Sequence, residues 1–425
     1  MPSRAVGYVR PCHRGVGVLE MLSSKFKVSA LNLKSTMDIE RFRDSPIGRL
    51  EPVKVADGEV IHDHFAFVPH PLPGDLQLSQ ATWRSVTRAS AALARLDGAA
   101  RRLPNPYLLV RPALTKEAVA SSALEGTFAP VEDVLQADFL ADEDLSDQTV
   151  EVRNYVRASE RGFELLKELP ICLRLVREVH GTLMQGARGD YAEAGRFRRT
   201  QNWIGERRSD PITRALFVPP PPGEILDDCL AVWERWVNEE SGMPDLLKVA
   251  LGHYQFETIH PFVDGNGRVG RMVAVLTFIA SGELRVPLLN ISPFLEEHRD
   301  EYVDHLRTVS ATGDFEPWIV FFADAVRVQS ERALEKAERL VATRDEMMNS
   351  LHSARVRGTA LRIAEDLVGF PIVTATDAAN RYDVSFQAAN TAIGRLVEAK
   401  ILRQVTRGGY ARLFSAPSIV SIISE

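Results

Sequence analysis

The chain has 425 residues, with 45% hydrophobic and 25% charged side chains and a formal net charge of −6. That length and balance suit two or three folded domains with a substantial core and exclude a disulfide-stapled miniprotein or a low-complexity chain. The acidic balance gives no global pull toward nucleic acid or anionic membranes, and the apolar runs break before they reach the length of a bilayer span. Cys12, Cys172 and Cys229 are widely separated and lack Cys-x-x-Cys spacing, which argues against a zinc site or disulfide framework and for a reducing, cytoplasmic compartment with no membrane partner.

In chain order, residues 1–36 carry six Lys/Arg against the single acid Glu20. They lack the apolar core and cleavage pattern of a secretory signal and read as a basic, disordered extension, with a targeting arm as the alternative. An N-terminal region over 37–145 follows. Within it, residues 50–75 mix Val, Ile, Phe and Pro as short strands or loops, and Leu76 to Arg102 has helical periodicity. Good helix formers from Thr115 stop at Gly126, predicting a helix over 115–126 with Glu125 at its end. By itself Glu125 is a solvated helix-end carboxylate. Asp138 to Asp147 is an acidic surface loop, and Val150–Leu169 and Ile171–Met184 are helices. Gly195 to Gly205, a polar stretch from Glu206 to Thr213, and then Leu216 to Val218 suggest a short hairpin with a polar tip.

The helix-like run Leu246 to Ile259 ends at His260, and the chain then reads His260-Pro-Phe-Val-Asp264-Gly265-Asn266-Gly267-Arg268-Val-Gly-Arg271. A side chain titrating near neutrality suits a general base for an attacking hydroxyl. Two glycines flanking Asn266 let successive backbone N–H groups curl around a phosphate. The apolar spacing downstream opens a helix whose positive end faces the same anion, with Arg268 and Arg271 on one face. A lone carboxylate such as Asp264 suits Mg²⁺, which keeps waters and takes phosphate oxygens as ligands. The segment is a nucleotide-phosphate site with its own base.

These residues match the Fic family signature, His-Pro-Phe-x-Asp-Gly-Asn-Gly-Arg-x-x-Arg, at every fixed position, and the chain resembles a Fic protein. The resemblance implies a protein adenylyltransferase that moves AMP from Mg-ATP to a Ser, Thr or Tyr hydroxyl of a target protein, the chain itself included. It implies His260 as base, Asp264 on Mg²⁺, Gly265, Asn266 and Gly267 around the phosphates, and Arg268 and Arg271 neutralising charge during transfer. Ser121-x-x-x-Glu125-Gly126 matches the family's inhibitory motif, whose glutamate pairs with the second arginine of the signature, here Arg271. Its position upstream resembles the class with an N-terminal inhibitory helix in the same polypeptide, and implies a resting state of low activity. The hairpin after Gly195 resembles the family's target-holding flap, although an ordinary surface hairpin fits equally well. Ser292 to Tyr302 resembles the helix after the core, with Tyr302 either lining the adenine pocket or packed in the core.

The catalytic core is expected over 146–345, closed by a helix from Trp318 to Val341. Residues 350–425 then read helix, helix, turn, helix, β-hairpin, which resembles a winged helix-turn-helix. A DNA-binding use would put Gln387, Asn390 and Thr391 in a major groove and Arg403, Arg407 and Arg412 on phosphates; the alternative is a protein-contact or homodimer module. The expected fold is mainly α, a Fic helical core with a β-hairpin flap plus this winged module. Two rival functions remain open: an AMP-removing hydrolase in which Glu125 orients water, and a DNA-binding regulator with a nucleotide-sensing core.

Overall fold

A computed structural model describes residues 37–57, 60–101, 105–186, 193–205, 207, 210–405 and 412–425. The described residues form one compact unit, and the basic segment 1–36 lies outside them.

The short helix α1, Ile39–Arg43, is capped by Asp38 and delivers Phe42 to an aromatic cluster with Phe67 and Phe217, at centroid distances of 5.6 and 5.9 Å. Strands β1, Gly48–Asp57, and β2, Val60–Pro69, pair antiparallel from Gly48↔Pro69 to Asp57↔Val60. A β-carbon at Gly48 would lie 2.2 Å from the Phe67 ring, so glycine is what lets that ring cross the start of β1. The strands expected over 50–75 are present, but each runs 10 residues rather than being short. Lys54, His62, Asp63 and His64 break the apolar alternation, while the cross-strand pairing that sustains the strands is invisible to a one-dimensional pattern.

Helix α2, Gln80–Ala100, starts at a Ser79 cap bonded to the Thr82 N–H at 3.2 Å. Helix α3, Tyr107–Leu124, begins eight residues before the expected Thr115 because Pro112 sits inside it rather than ending it. Proline leaves the Leu108 carbonyl without its helical donor. The chain at Gly369 comes close to that carbonyl, where a β-carbon would fall 2.9 Å from it. Glu125 is the C-cap, and Gly126, at φ 83°, turns the chain away. Helix α4, Val131–Gln136, precedes the stretch expected as an acidic surface loop, Asp138 to Asp147, which carries the end of a 3₁₀ turn at Ala137–Phe139 and a second one at Asp142–Asp144.

Helices α5, Asp147–Leu165, and α6, Leu173–Leu183, lead to the expected flap, where the described residues contain a single antiparallel bridge, Ile204↔Phe217. Of its polar tip, residues 206, 208 and 209 lie outside the described residues, and Ile212–Arg214 forms a 3₁₀ turn. Helix α7, Glu224–Asn238, precedes α8, Asp245–Ile259, and α9, Asn266–Ala280. Nearly every residue of α8 and α9 is buried, as expected of helices apolar on all faces. Helices α10, Ser292–Glu297, and α11, Arg299–Thr312, return the chain to the long α12, Glu316–Ser353. Trp318 of α12 and Trp233 of α7 clamp α8 by donating indole N–H bonds to Ala250 O at 2.9 Å and Gly252 O at 3.0 Å.

The C-terminal segment contains α13, Thr359–Asp366, β3, Ile372–Val373, α14, Ala375–Tyr382, α15, Phe386–Glu398, β4, Arg403–Gln404, β5, Phe414–Ser415, and α16, Pro417–Ser424. Thr374 and Ser385 cap α14 and α15. The three strands form an antiparallel sheet in the order β3-β5-β4. Arg407 lies outside the described residues. Helix α12 runs through the boundary expected at 345–350, and one hydrophobic core extends from α2, α3, α8 and α9 into α13–α16. Among the described residues no helix is long and apolar enough to cross a membrane.

Candidate active site

The loop between α8 and α9 is shaped by two left-handed residues. His260, at φ 50° and ψ 61°, leaves α8 with its N–H on Phe256 O at 2.9 Å, and Gly265, at φ 77°, turns the chain into α9. Asn266 ties the loop shut: its Oδ1 accepts the Phe262 N–H at 2.7 Å and its Nδ2 donates to Phe262 O at 2.8 Å. The residue is 2% exposed, so its side chain braces the loop, and what it offers an anion is its backbone N–H. That group and the N–H groups of Gly267 and Arg268 stand at the amino end of α9, where no helical carbonyl reaches them.

His260 is oriented through Nδ1, 3.3 Å from the Glu257 carbonyl. Because a carbonyl accepts, Nδ1 holds the hydrogen and Nε2 keeps the lone pair. Burial, and after it the neighbouring Arg198 guanidinium, push the imidazole pKa down to about 4. Arg198 is 2% exposed and donates to the carbonyls of His260 at 2.9 Å, of Thr200 and Ile259 at 3.5 Å, and of Pro220. A cation at the carboxyl end of α8 complements the helix dipole. Arg198→Met keeps the volume and removes these donors, so urea unfolding should show a stability loss of about 3 kcal/mol with an unchanged m-value. A midpoint equal to wild type would mean that Arg198 does not hold the loop.

His180 supports the same loop from below. Its ring stacks on Phe262 at 3.7 Å and 5°, its Nδ1 accepts the Gly195 N–H at 2.9 Å, and its Nε2 donates to Asp264 O at 3.1 Å. Burial pushes its pKa down to about 4, which keeps the ring in this neutral tautomer. Asn202, in the flap, donates to Phe262 O at 3.0 Å and joins flap to loop.

Arg271, 1% exposed, donates from Nε to Ser121 Oγ, and from Nη2 to Ser121 O and Glu125 Oε1, each at 2.9 Å. Burial pushes the Glu125 carboxyl up, but Arg271 and then Arg268 outweigh it and hold the group below its ordinary range. The carboxylate lies against α9 at Gly267, where a β-carbon would be 2.3 Å from Glu125 Oε1. One turn on, a β-carbon at Gly270 would be 2.3 Å from Glu257 Oε1. Two glycines thus make room for two carboxylates beside one arginine. Burial raises Glu257 to about 7 against the pull of Arg271, and its Oε1 has no hydrogen-bond partner among the described residues. Arg268 lies 3.4 Å from Glu151 on α5 and 3.7 Å from Asp264.

Tyr302 is 5% exposed, with its hydroxyl 2.8 Å from His253 Nε2 and its ring packed beside Trp318. Asp264 keeps 26% of its side chain exposed, and its Oδ1 accepts the Gly265 N–H at 2.8 Å. Among the described residues no cluster of three or more His, Cys, Asp or Glu side chains encloses a metal. A single partly exposed carboxylate beside a phosphate-sized loop fits Mg²⁺, which takes its other ligands from water and phosphate. The structure therefore brings together His260, Asp264 to Arg268, Arg271, Ser121 and Glu125, and adds Glu151, His180, Arg198 and Glu257. Sequence reasoning gave the last four no role, because none belongs to a motif.

Residues 83–164 match the Fic/DOC family N-terminal model and residues 170–278 the Fic/DOC family model. The chain is 31% identical over 191 residues to Protein adenylyltransferase Fic of Culex quinquefasciatus, covering 44% of this chain and 32% of the relative. It is 30% identical over 215 residues to the protein of the same name from Drosophila grimshawi, covering 48% of this chain and 39% of the relative. The chain thus spans less than half the length of these curated relatives. A crystal structure of a Fic family protein from Desulfovibrio desulfuricans G20 shares the fold, with a TM-score of 0.52 at 18% identity over 80% of this chain and 97% of that one.

Proposed function

We propose, from the Fic/DOC family domains that residues 83–278 carry, that this protein is an autoinhibited adenylyltransferase moving AMP from Mg-ATP to a Ser, Thr or Tyr hydroxyl of a protein. The observation that carries the reading is Arg271, held by Ser121 and Glu125 beside the amino end of α9 and a neutral His260. The target hydroxyl oxygen attacks the α-phosphorus and gives its proton to His260 Nε2. An O–P bond forms, the bond from the α-phosphorus to the β-bridging oxygen breaks, and pyrophosphate leaves with that oxygen and its electron pair. The N–H groups of Asn266, Gly267 and Arg268 and the two guanidiniums stabilise the charge that develops. Asp264 would hold Mg²⁺, whose charge when bound offsets that of the phosphates.

In the resting chain Glu125 occupies the Arg271 donors that a γ-phosphate needs and repels that phosphate. The bridge Ile204↔Phe217 leaves backbone near the loop for a target segment to pair with by strand addition. The C-terminal segment is read as a winged helix-turn-helix used for protein contact, a second copy of the chain included, rather than for DNA. Arg403 lies 3.7 Å from Glu132, and Arg412 donates to Asn390 at 2.8 Å, so groups that DNA would require are engaged within the chain.

The test uses the Glu125→Gly protein with Mg²⁺ and ATP labelled on either the α- or the γ-phosphate. Label from the α-phosphate should enter protein while the γ-label appears in pyrophosphate. Protein labelled from the γ-phosphate would make this a phosphotransferase instead, and free AMP released from a pre-modified target by the wild-type protein, which keeps Glu125, and not by Glu125→Gly would make it a hydrolase.

A further inference from the structure

A cleft of about 480 Å³, whose lining does not include Arg271, opens between α3, α4, α5 and the C-terminal segment. Its volume is in the range of small-molecule sites. The floor is apolar, with Leu135, Val156 and Ile372, while the walls carry four guanidiniums, those of Arg111, Arg153, Arg157 and Arg381, against the carboxylates of Asp138, Glu160 and Asp377.

The guanidiniums are only partly satisfied. Arg111 and Arg157 share the single carboxylate of Asp138, the latter at 3.5 Å. Arg153 is 4% exposed and commits Nη1 to Asp142 at 2.7 Å, yet its Nε has no hydrogen-bond partner among the described residues. Arg381 places its guanidinium carbon 3.5 Å from the centroid of the Phe370 ring and pairs with Asp377 at 3.2 Å. Buried N–H donors left without acceptors are costly, and planar guanidinium forks match phosphate and carboxylate oxygens.

We propose that this cleft binds a small organic anion: a phosphate or carboxylate taken by the arginines, and a planar or apolar body resting on Val156, Leu135 and Ile372. Such a ligand would bridge the C-terminal segment to α3, which supplies Arg111 at one end and Glu125 at the other, and to α5, which supplies both Arg153 and Glu151, the partner of Arg268. Binding itself does not depend on the AMP-transfer reading.

The experiment is calorimetric titration of the full chain, without Mg²⁺ or ATP, with AMP, pyrophosphate and benzoate. At least one probe should bind wild type, and its affinity should fall at least about tenfold in Arg157→Ala with Arg381→Ala. Thr376→Trp, which fills the mouth from an exposed position, should weaken the same probe and serves if the arginine variant melts early. Pyrophosphate binding without benzoate identifies a phosphate site, and the reverse a carboxylate site. Heat unchanged in both variants would place the ligand in the α8–α9 loop and overturn the proposal, as would the absence of binding by all three probes.

Discussion

Glu125→Gly should raise AMP incorporation about a hundredfold over wild type, because two costs of productive ATP binding disappear together. The first is competition. Arg271 gives one Nη2 bond to Glu125 at 2.9 Å, and a charge-assisted bond of this kind is worth about 1.5–3 kcal/mol. The second is repulsion between the carboxylate and a γ-phosphate brought to the same guanidinium. Arg271 keeps Ser121 and the nearby charge of Glu257, so it remains oriented after the substitution. The Glu125 side chain is 37% exposed, and the accompanying loss of stability should stay near about 1–2 kcal/mol. Parallel measurement of α-phosphate label and melting temperature separates the effects. A folded variant that labels no better than wild type would remove Glu125 from any inhibitory role. Glu125→Gln, which keeps the shape but not the charge, should fall between the two.

The sequence made the chemistry legible where residue types had to sit a few positions apart on one loop. His260, Gly265 and Arg271 could be read from spacing, since a base, a positive-φ glycine and a helix-face arginine are all local requirements. The contact of Glu125 with Arg271 spans 146 residues, and only the likeness to a family motif joined its ends. Arg198, His180, Glu151 and Glu257 stayed illegible because a buried arginine on carbonyls or a histidine under a loop carries no local pattern. Asn266 was legible as part of the phosphate loop, but not as the brace across Phe262, which depends on how the loop closes. The fold failed to read in the same way at α3 and β1–β2. The helix expected from Thr115 begins at Tyr107, with Pro112 inside it and the C-terminal segment close to the carbonyl that proline frees, and the short strands or loops expected over 50–75 became two long strands only through their paired register.

His260→Ala, placed in the Glu125→Gly protein, should lower the rate of AMP transfer by about 10²–10⁴-fold, the usual contribution of a positioned general base. Thermal stability should hardly change, since the ring makes one long bond, to Glu257 O at 3.3 Å. The pH profile of the Glu125→Gly protein gives a sharper test of role. A base works only when neutral, and an imidazole at its ordinary pKa near 6.5 would begin to lose activity below neutrality. Burial and Arg198 instead push His260 down to about 4, and Glu125, which works in the opposite direction, is absent from this variant. The rate should therefore stay flat as pH falls from about 8 to 5 and drop only below that, for as long as the protein remains folded. Arg198→Met removes the second cause of the depression and should move the acid limb toward neutrality while leaving the plateau in place. An acid limb near pH 6.5 in the Glu125→Gly protein, unmoved by Arg198→Met, would show that the group being titrated is not the buried His260 ring near Arg198.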